Sequence, residues 1–371
     1  MIMGSSSFSE EKISSWTEWK TYSFQGIQAK VSAPVLVSRG VGYLWFPVLV
    51  CLDKDNLVAV MQNRADACTD PDKTTALVAR SRNGGLHWTE ASPGYYGQCP
   101  LRQADGSYLL LPFYTARNPE GLIGYCQRMV VSKDDMEWIR TGVKVSGWAR
   151  PDGDNFQNVG MAGFVFTGQT VDLRDGGYLA TMYGYFKGTK RYSLVAVMSN
   201  DGRNWKVRSV IADENCKLQG QEGSCEAAVA RLEDGRLMCV FRIASGVPYG
   251  QCWSSDEGRT WTEPIGMSGP HSVQPSLAVI KNGMVVLSGG RPGIYLWINP
   301  DGRGKDWQQI DVMAHHNAYQ VKEPVKSTTS YTEVVALDET TLLMIYDRLH
   351  VPCESPETNS VWVVRITVSV S

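Results

Sequence analysis

The sequence contains no run of 18 or more apolar residues, the length a helix needs to cross the hydrocarbon core of a membrane. It also lacks a block of basic residues, and its formal net charge at pH 7 is only −2. Such a charge gives no electrostatic attraction for nucleic acid or for an anionic lipid surface. We therefore expect neither a nucleic-acid partner nor a membrane partner.

Cysteine is scarce and irregularly placed, with nine residues among 371 and no Cys-x-x-Cys pair. An odd number without paired short spacings argues against a disulfide scaffold and against a zinc site. Residues 1–16 also lack the apolar core of a signal peptide. We expect no metal and no cofactor, although calcium in an acidic loop stays open. The expected location is cytoplasmic, or secreted or periplasmic if a signal peptide has been removed.

Long segments with a 3.6-residue apolar period are missing as well, so we expect few helices. Apolar runs are instead interrupted by Asp-Gly or Asn-Gly pairs, as within residues 227–241 and 277–288. This alternation is typical of antiparallel strands joined by tight hairpins. The sequence therefore predicts an all-β fold.

A short motif that ends in tryptophan recurs five times, at residues 81–88, 132–138, 199–205, 255–261 and, more loosely, 299–307. Its pattern, Ser-x-Asp-x-Gly-x-x-Trp, is the Asp box. The Asp or Asn side chain bonds the backbone of a turn, glycine adopts positive φ, and tryptophan packs beneath. We interpret these residues as scaffold and not as active site.

The repeats predict a six-bladed β-propeller, with blades near 43–90, 97–140, 158–208, 222–263, 272–310 and 328–368. The last unit has no Asp box, and residues 28–37 are expected to supply its missing strand and close the ring. The chain then divides into an N-terminal extension, 1–27, and one catalytic propeller domain, 28–371. Seven blades remain an alternative.

From about residue 40 to 350, the order of these features resembles the sialidase (neuraminidase) family of the Asp-box, or BNR, superfamily. The resemblance implies a sugar-cleaving ancestry. It also implies a tyrosine nucleophile, a glutamate that activates it, an aspartate acid/base and three arginines that bind a carboxylate.

Three motifs carry these roles onto particular residues. Residues 224–242 resemble the family's N-E-x-x-V-x-E-L-x-D-G-R-L…R stretch, which makes Glu226 the partner of the tyrosine and Arg242 a carboxylate-binding arginine. The Gly-Gly-Arg-Pro motif at 289–292 makes Arg291 another. Residues 329–335 resemble the segment that carries the nucleophile, which makes Tyr331 that residue, with Asp347 replacing a glutamate that follows.

The acid/base aspartate is expected in the loop after the first strand pair. Counting back from Arg80 favours Asp70, and Asp66 and Asp72 remain alternatives. A tyrosine with a free pKa near 10 is a poor nucleophile, so a neighbouring carboxylate must take its proton. The aspartate protonates the leaving oxygen and later activates water.

The sequence departs from the family at its opening Tyr-Arg-Ile-Pro motif, which reads Tyr-Leu-Trp-Phe-Pro at 43–47. Trp45 or Leu44 stands where the first arginine belongs, and Gln62 replaces a glutamate that often supports it. We expect Trp45 to stack on a sugar, and Arg64 or Arg39 to supply a replacement charge.

Three hypotheses follow. The first is a retaining exo-glycosidase that acts on a terminal sugar other than ordinary sialic acid. Arg242 and Arg291 favour an acidic sugar, such as another ulosonic acid or a uronate-bearing glycan. The second is a polysaccharide lyase or another exo-glycosidase, for rhamnose, uronate or arabinan, with His315, His316, Tyr183 or Tyr185 abstracting a proton. The third is a noncatalytic glycan-binding propeller.

Overall fold

A computed structural model describes residues 16–66, 75–118, 121–133, 135–148, 163–218, 220–350 and 358–370. These residues form 27 β-strands, one 3-10 turn (Lys281–Gly283) and one α-helix, α1 (Val312–Tyr319). The predicted all-β fold with few helices is therefore confirmed. No helix in this part of the chain combines the length and the apolar character needed to cross a membrane.

The strands of the N-terminal half fall into an N-terminal group, a four-stranded antiparallel sheet and a nine-stranded sheet. In chain order they are β1 (Trp19–Phe24), β2 (Ile27–Ser32) and β3 (Val35–Val41); β4 (Trp45–Cys51), β5 (Leu57–Gln62), β6 (Thr75–Ser81) and β7 (Ser92–Tyr95); and β8 (Gln98–Arg102), β9 (Tyr108–Leu111), β10 (Ala116–Asn118), β11 (Gly121–Val131), β12 (Met136–Ser146), β13 (Val165–Asp172), β14 (Tyr178–Gly184), β15 (Ser193–Ser199) and β16 (Asn204–Ala212).

Two further four-stranded antiparallel sheets and a closing group make up the C-terminal half. They are β17 (Ala227–Arg231), β18 (Leu237–Phe241), β19 (Pro248–Ser254) and β20 (Ile265–His271); β21 (Ser276–Val279), β22 (Val285–Gly289), β23 (Tyr295–Asn299) and β24 (Gln308–Asp311); and β25 (Thr332–Ala336), β26 (Thr341–Arg348) and β27 (Thr358–Val370).

The nine-stranded sheet consists of two antiparallel groups, β8–β12 and β13–β16. They join where β12 and β16 run parallel over three residues, 144–146 against 204–206. The part of the chain that the structure describes thus contains six successive antiparallel groups, counted with β25–β27. The first strands of these groups lie beside one another: β13 contacts β8 and β17, β21 contacts β17 and β25, and β25 contacts β4.

The last sheet is completed by the N-terminal end of the chain. Strand β27 is long enough to pair with β2 along its C-terminal half and with β3 along its N-terminal half. Residues 28–37 therefore supply the outer strands of this sheet. Strand β1, which lies in the predicted N-terminal extension 1–27, pairs with the free edge of β2. Pairing of both ends of the chain covers edges that would otherwise be open to other chains.

The Asp-box residues build turns, as their composition predicts. In the third box Asp201 Oδ1 accepts hydrogen bonds from the Arg203 and Asn204 amides, both 2.8 Å away, and Gly202 has a φ of +71°. Trp205 is 2% exposed and its indole N–H donates to the Gly202 carbonyl. In the fourth box the capping serine is Ser254, one residue earlier than the sequence spacing suggested.

Candidate active site

A cavity of about 740 Å³ opens at the ends of the adjacent first strands. This volume is in the range of pockets that enclose a small ligand. Its walls carry eight aromatic side chains, four cationic side chains and three carboxylates: Phe46, Tyr96, Phe113, Tyr114, Tyr183, Tyr185, Tyr192 and Tyr331; Arg64, Lys190, Arg242 and Arg291; Asp66, Glu222 and Glu226. Aromatic faces with a few polar groups are a composition suited to a sugar.

Tyr331 and Glu226 meet at the wall of this cavity. Each residue immediately precedes the first strand of its group, β25 and β17, and β21, which contacts both strands, brings together these residues far apart in sequence. The Tyr331 hydroxyl donates a hydrogen bond to Glu226 Oε1. Burial and then the Glu226 charge raise the pKa of Tyr331 well above its usual value, while Arg242 and Arg291 oppose the shift. The phenol therefore stays protonated at rest.

Arg242 follows β18 and holds the same pair from the other side. Its Nη1 lies 2.9 Å from Glu226 Oε2 and 3.3 Å from the Tyr331 hydroxyl oxygen. Its Nη2 lies 2.7 Å from Glu222 Oε1 and 2.9 Å from Ser245 Oγ. Burial would lower the pKa of Arg242, but the neighbouring anionic groups, Glu226 foremost, outweigh it, so the guanidinium stays charged.

Asp347, at the end of β26, orients the segment that carries Tyr331. Its Oδ1 accepts from the Thr328 hydroxyl at 2.7 Å and from the Thr329 amide at 2.8 Å. The Thr329 hydroxyl binds Oδ2 and accepts in turn from the Tyr331 amide at 3.1 Å. Ser330 between them has a φ of +62°, a conformation that these bonds hold in place. Burial raises the pKa of Asp347, and the hydrogen bonds counter that shift.

Arg291 and Arg64 also line the cavity. Arg291 Nη2 donates to the Thr329 carbonyl at 2.7 Å, and its guanidinium carbon lies 5.5 Å from the centre of the Tyr331 ring. The Arg64 guanidinium carbon lies 5.9 Å from the centre of the Tyr114 ring. The predicted residues Tyr331, Glu226, Arg242, Arg291 and Arg64 thus share one cavity.

Of the three aspartates proposed for the acid/base role, Asp66 lines the cavity. Asp66 is an exposed residue. Its partial desolvation at the cavity wall, then the charge of Glu226, raises its pKa, while Arg291 and Arg64 act in the opposite direction. Asp70, the residue favoured by the sequence, lies outside the described residues, as does Asp72.

Trp45 is not among the cavity-lining residues, and its neighbour Phe46 takes that place. The Trp45 indole N–H donates to the Arg64 carbonyl at 2.9 Å, and its ring contacts Phe46. A bulge between Trp45 and Val48 and a φ of +46° at Phe46 turn the chain. The Phe46 ring then meets the Tyr331 ring edge to face, with centroids 4.8 Å apart. Arg39 pairs with Glu323 and is not a lining residue.

Sequence reasoning missed Glu222 and Phe46 as site residues. Glu222 stands four residues before Glu226, a local signal that was available. Phe46 carried no such signal, because only the bulge shows which residue of the Trp-Phe pair faces the cavity.

His315 and His316, the alternative proton acceptors, are absent from the cavity wall. Both are completely buried in α1, where His315 bonds Tyr22 and the Ser32 carbonyl. His316 bonds Tyr346 and the Glu323 carbonyl, and burial lowers its pKa to about 4. Their contacts attach the helix to the last sheet. In the described residues, no group of three or more His, Cys, Asp or Glu side chains is arranged to hold a metal ion.

A family model described as a BNR repeat-like domain matches residues 97–344, about two thirds of the chain. The chain belongs to the BNR repeat-like domain family. The predicted membership of the BNR, or Asp-box, superfamily is thereby confirmed. No curated protein sequence matches this BNR repeat-like chain.

Three solved structures similar to the chain share 16–17% identity with it, so the similarity concerns the fold. A Dyadobacter fermentans protein of unknown function has a TM-score of 0.69 at 17% identity, covering 93% of this chain and 100% of its own. The α-L-arabinofuranosidase Arb93A of Fusarium graminearum has a TM-score of 0.57 at 16% identity, covering 90% and 97%. The Hadza microbial sialidase Hz136 has the same score and identity, covering 86% of this chain and 65% of its own.

Proposed function

We propose that the six antiparallel groups are the blades of a six-bladed propeller. The contacts that link β8, β13, β17, β21, β25 and β4 in turn support a ring around the cavity. A core cluster that contains Val48, Leu110 and Met129 joins β4 to the group β8–β12. Completion of the last sheet by β2 and β3 supports the same arrangement, because it joins the two ends of the chain in one blade.

We propose further that the protein is a retaining exo-glycosidase whose nucleophile is Tyr331. The observation that carries this proposal is the hydrogen bond from the Tyr331 hydroxyl to Glu226 at the wall of the cavity of about 740 Å³, with Arg242 Nη1 3.3 Å from the same oxygen. A neutral phenol needs a base to become nucleophilic, and Glu226 is in contact to serve as that base.

The proposed reaction has two steps. In the first, Glu226 takes the phenol proton while the Tyr331 oxygen bonds to the anomeric carbon, and the leaving oxygen departs with a proton from the acid. In the second step, the acid residue, now deprotonated, takes a proton from a water molecule, whose oxygen attacks the anomeric carbon. The bond from the anomeric carbon to Tyr331 breaks, and the Tyr331 oxygen regains its proton from Glu226. Two inversions at one carbon give net retention. Arg242 stabilises the oxygen of Tyr331 while it carries negative charge.

Asp66 is our proposal for the acid. It lies in the same cavity, and a carboxyl group with a raised pKa remains protonated at a pH where an ordinary aspartate has lost its proton. Because Asp70 is near it in sequence, the two aspartates need to be substituted separately.

The test is a screen of aryl glycosides with the purified protein, followed by Tyr331→Phe, Glu226→Gln and the control Tyr95→Phe, an exposed tyrosine outside the cavity. We expect turnover in the wild type and the control, none in Tyr331→Phe, and a product whose first-formed anomer retains configuration by NMR. Activity in Tyr331→Phe combined with an inactive Glu226→Gln would instead make Glu226 the nucleophile, as in two-carboxylate glycosidases.

Two other outcomes would replace the proposal. An unsaturated uronate among the products, detected by ultraviolet absorbance, would indicate a lyase. Specific binding on a glycan array, without turnover of any glycoside, would indicate a noncatalytic glycan-binding protein, for which the aromatic walls are also suited.

A further inference from the structure

The prediction of an acidic sugar requires that the arginines of the site be free to bind a substrate carboxylate. Arg242 does not meet this requirement. A guanidinium has five N–H donors. Arg242 Nη1 and Nη2 each carry two N–H groups, and each nitrogen has two protein partners. The remaining donor, Nε–H, is buried without a hydrogen-bond partner in the structure. The side chain as a whole is 11% exposed. A substrate carboxylate would therefore have to displace an existing partner.

The charge around Arg242 is also unfavourable for an anion. Glu222 and Glu226 both form ion pairs with this single guanidinium, at 2.7 and 2.9 Å. The three side chains together carry one negative charge more than positive when both carboxylates are ionised. A carboxylate placed against Arg242 would meet the repulsion of two others at short range.

Phe46 adds an apolar surface to the cavity wall beside Tyr331. Phe46 presents its ring to the cavity and packs edge to face against Tyr331. Asp347 behind it is fully buried and already accepts hydrogen bonds from Thr328, Thr329 and the Phe46 amide. Gln62, on the same side, is uncharged and 6% exposed.

The other two arginines of the wall are near a carboxylate of the protein. The charges of Arg291 and Arg64 both act on Asp66. In addition, Arg291 donates to the Thr329 carbonyl and lies over the Tyr331 ring. The cavity wall carries four cationic side chains, Lys190 among them, and three carboxylates, an excess of one positive charge when all three are ionised. Two of these carboxylates pair with Arg242. The aromatic faces and hydrogen-bonding groups of the wall suit the apolar faces and hydroxyl groups of an uncharged sugar.

We infer that the sugar bound next to Tyr331 and Glu226 is neutral, with no carboxylate, and that Glu222 sets this preference by occupying Arg242. The inference rests on the proposed glycosidase function. It does not depend on whether Tyr331 or Glu226 is the nucleophile, because both lie at the same point of the cavity wall.

Matched aryl glycosides test the sugar class. Glucosides are compared with glucuronides, and galactosides with galacturonides, in both anomeric forms. Neutral arabinofuranosides, xylosides and rhamnosides are compared with glycosides of sialic acid, KDN and Kdo. Support requires kcat/KM for a neutral glycoside at least about tenfold above that for every carboxylated one, with loss of activity in Glu226→Gln. A carboxylated glycoside turned over as well as any neutral one would overturn the inference and leave the glycosidase proposal standing. No turnover and no binding in either class would overturn both.

Glu222→Gln tests the role of Glu222, because the amide keeps the shape of the side chain and removes its charge. We expect inhibition by a free uronic acid, relative to its neutral counterpart, to strengthen about tenfold, the value of one charge-assisted hydrogen bond. The control is Glu263→Gln, which removes a charge from an exposed pair with Lys217. An unchanged inhibition ratio in a folded Glu222→Gln protein would reject this role. If inhibition by the uronic acid, relative to its neutral counterpart, also strengthened in Glu263→Gln, the effect would be one of overall charge.

Discussion

The hydroxyl of Tyr331 donates a hydrogen bond to Glu226 although 105 positions separate the two residues in the chain. Each residue stands immediately before the first strand of its antiparallel group, and those strands are linked through β21, which contacts both. The pair therefore depends on the order of the sheets around the cavity, and its chemistry leads to predictions that can be measured.

Replacement of Glu226 by Gln removes the base but keeps a hydrogen-bonding side chain. We expect kcat to fall by about 10²–10⁴-fold, the range typical of a lost general base. The thermal unfolding midpoint serves as the check on folding. A Glu226→Gln protein with full kcat on its best aryl glycoside would contradict the assignment.

Replacement of Asp66 by Asn separates the acid from its rival Asp70. A nitrophenolate is a good leaving group that needs little help from a proton, whereas an alkyl alcohol must be protonated as it leaves. We therefore expect Asp66→Asn to lose far more activity on alkyl glycosides than on nitrophenyl glycosides. Because the pKa of Asp66 is raised, the wild-type rate should persist to higher pH than an ordinary aspartic acid allows and then fall as pH rises through that pKa. This alkaline limb should disappear in Asp66→Asn. The same behaviour in Asp70→Asn, and not in Asp66→Asn, would assign the role to Asp70.

Glu333 predicts a dependence of stability on pH. It is 8% exposed, accepts a hydrogen bond from the Leu49 amide in β4, and burial raises its pKa to about 8 from an ordinary 4.5. Between these values the folded protein keeps a proton that the unfolded chain has released. The free energy of unfolding should therefore fall as pH rises from 4.5 to about 8, by at most roughly 1.4 kcal/mol per pH unit.

Urea denaturation at several pH values measures this effect. We expect a flatter profile in Glu333→Gln, whose amide oxygen can still accept from Leu49. Glu339→Gln is the control, since Glu339 lies exposed beside Lys281. Parallel profiles for wild type and Glu333→Gln would show that Glu333 does not hold its proton in this range.

Substitution of Asp201 measures how much the aspartate of an Asp-box turn contributes to the stability of the fold. Its carboxylate accepts from two backbone amides and from the Asn204 side chain, and these bonds contribute to a pKa of about 2. We expect Asp201→Ala to lower the free energy of unfolding by about 1–3 kcal/mol, as for hydrogen bonds to a charged group. Asp172→Ala, at an exposed position, should cost much less. Equal effects in urea denaturation would mean that the turn does not need its aspartate.

Several site residues were predicted from local motifs that resemble those of the sialidase family. Glu226 stands at a set distance from an Asp-Gly turn and from Arg242, and Arg291 lies within a Gly-Gly-Arg-Pro motif. The same holds for the turns, since Asp201 and Gly202 act on backbone groups within three residues. Trp45 and Phe46 could not be told apart in this way, because a bulge changes which face each side chain occupies.

The sequence by itself determined the all-β class and the Asp-box turns, because both depend on short-range spacing, and its resemblance to the family's motifs indicated residues that line the cavity. Only the tertiary structure decided which of their donors face a ligand. Arg242 looks available in the sequence, but Glu222, Glu226, Tyr331 and Ser245 surround it in three dimensions. A charge in a sequence has no partners until the chain folds, and the partners decide whether it can still bind a substrate.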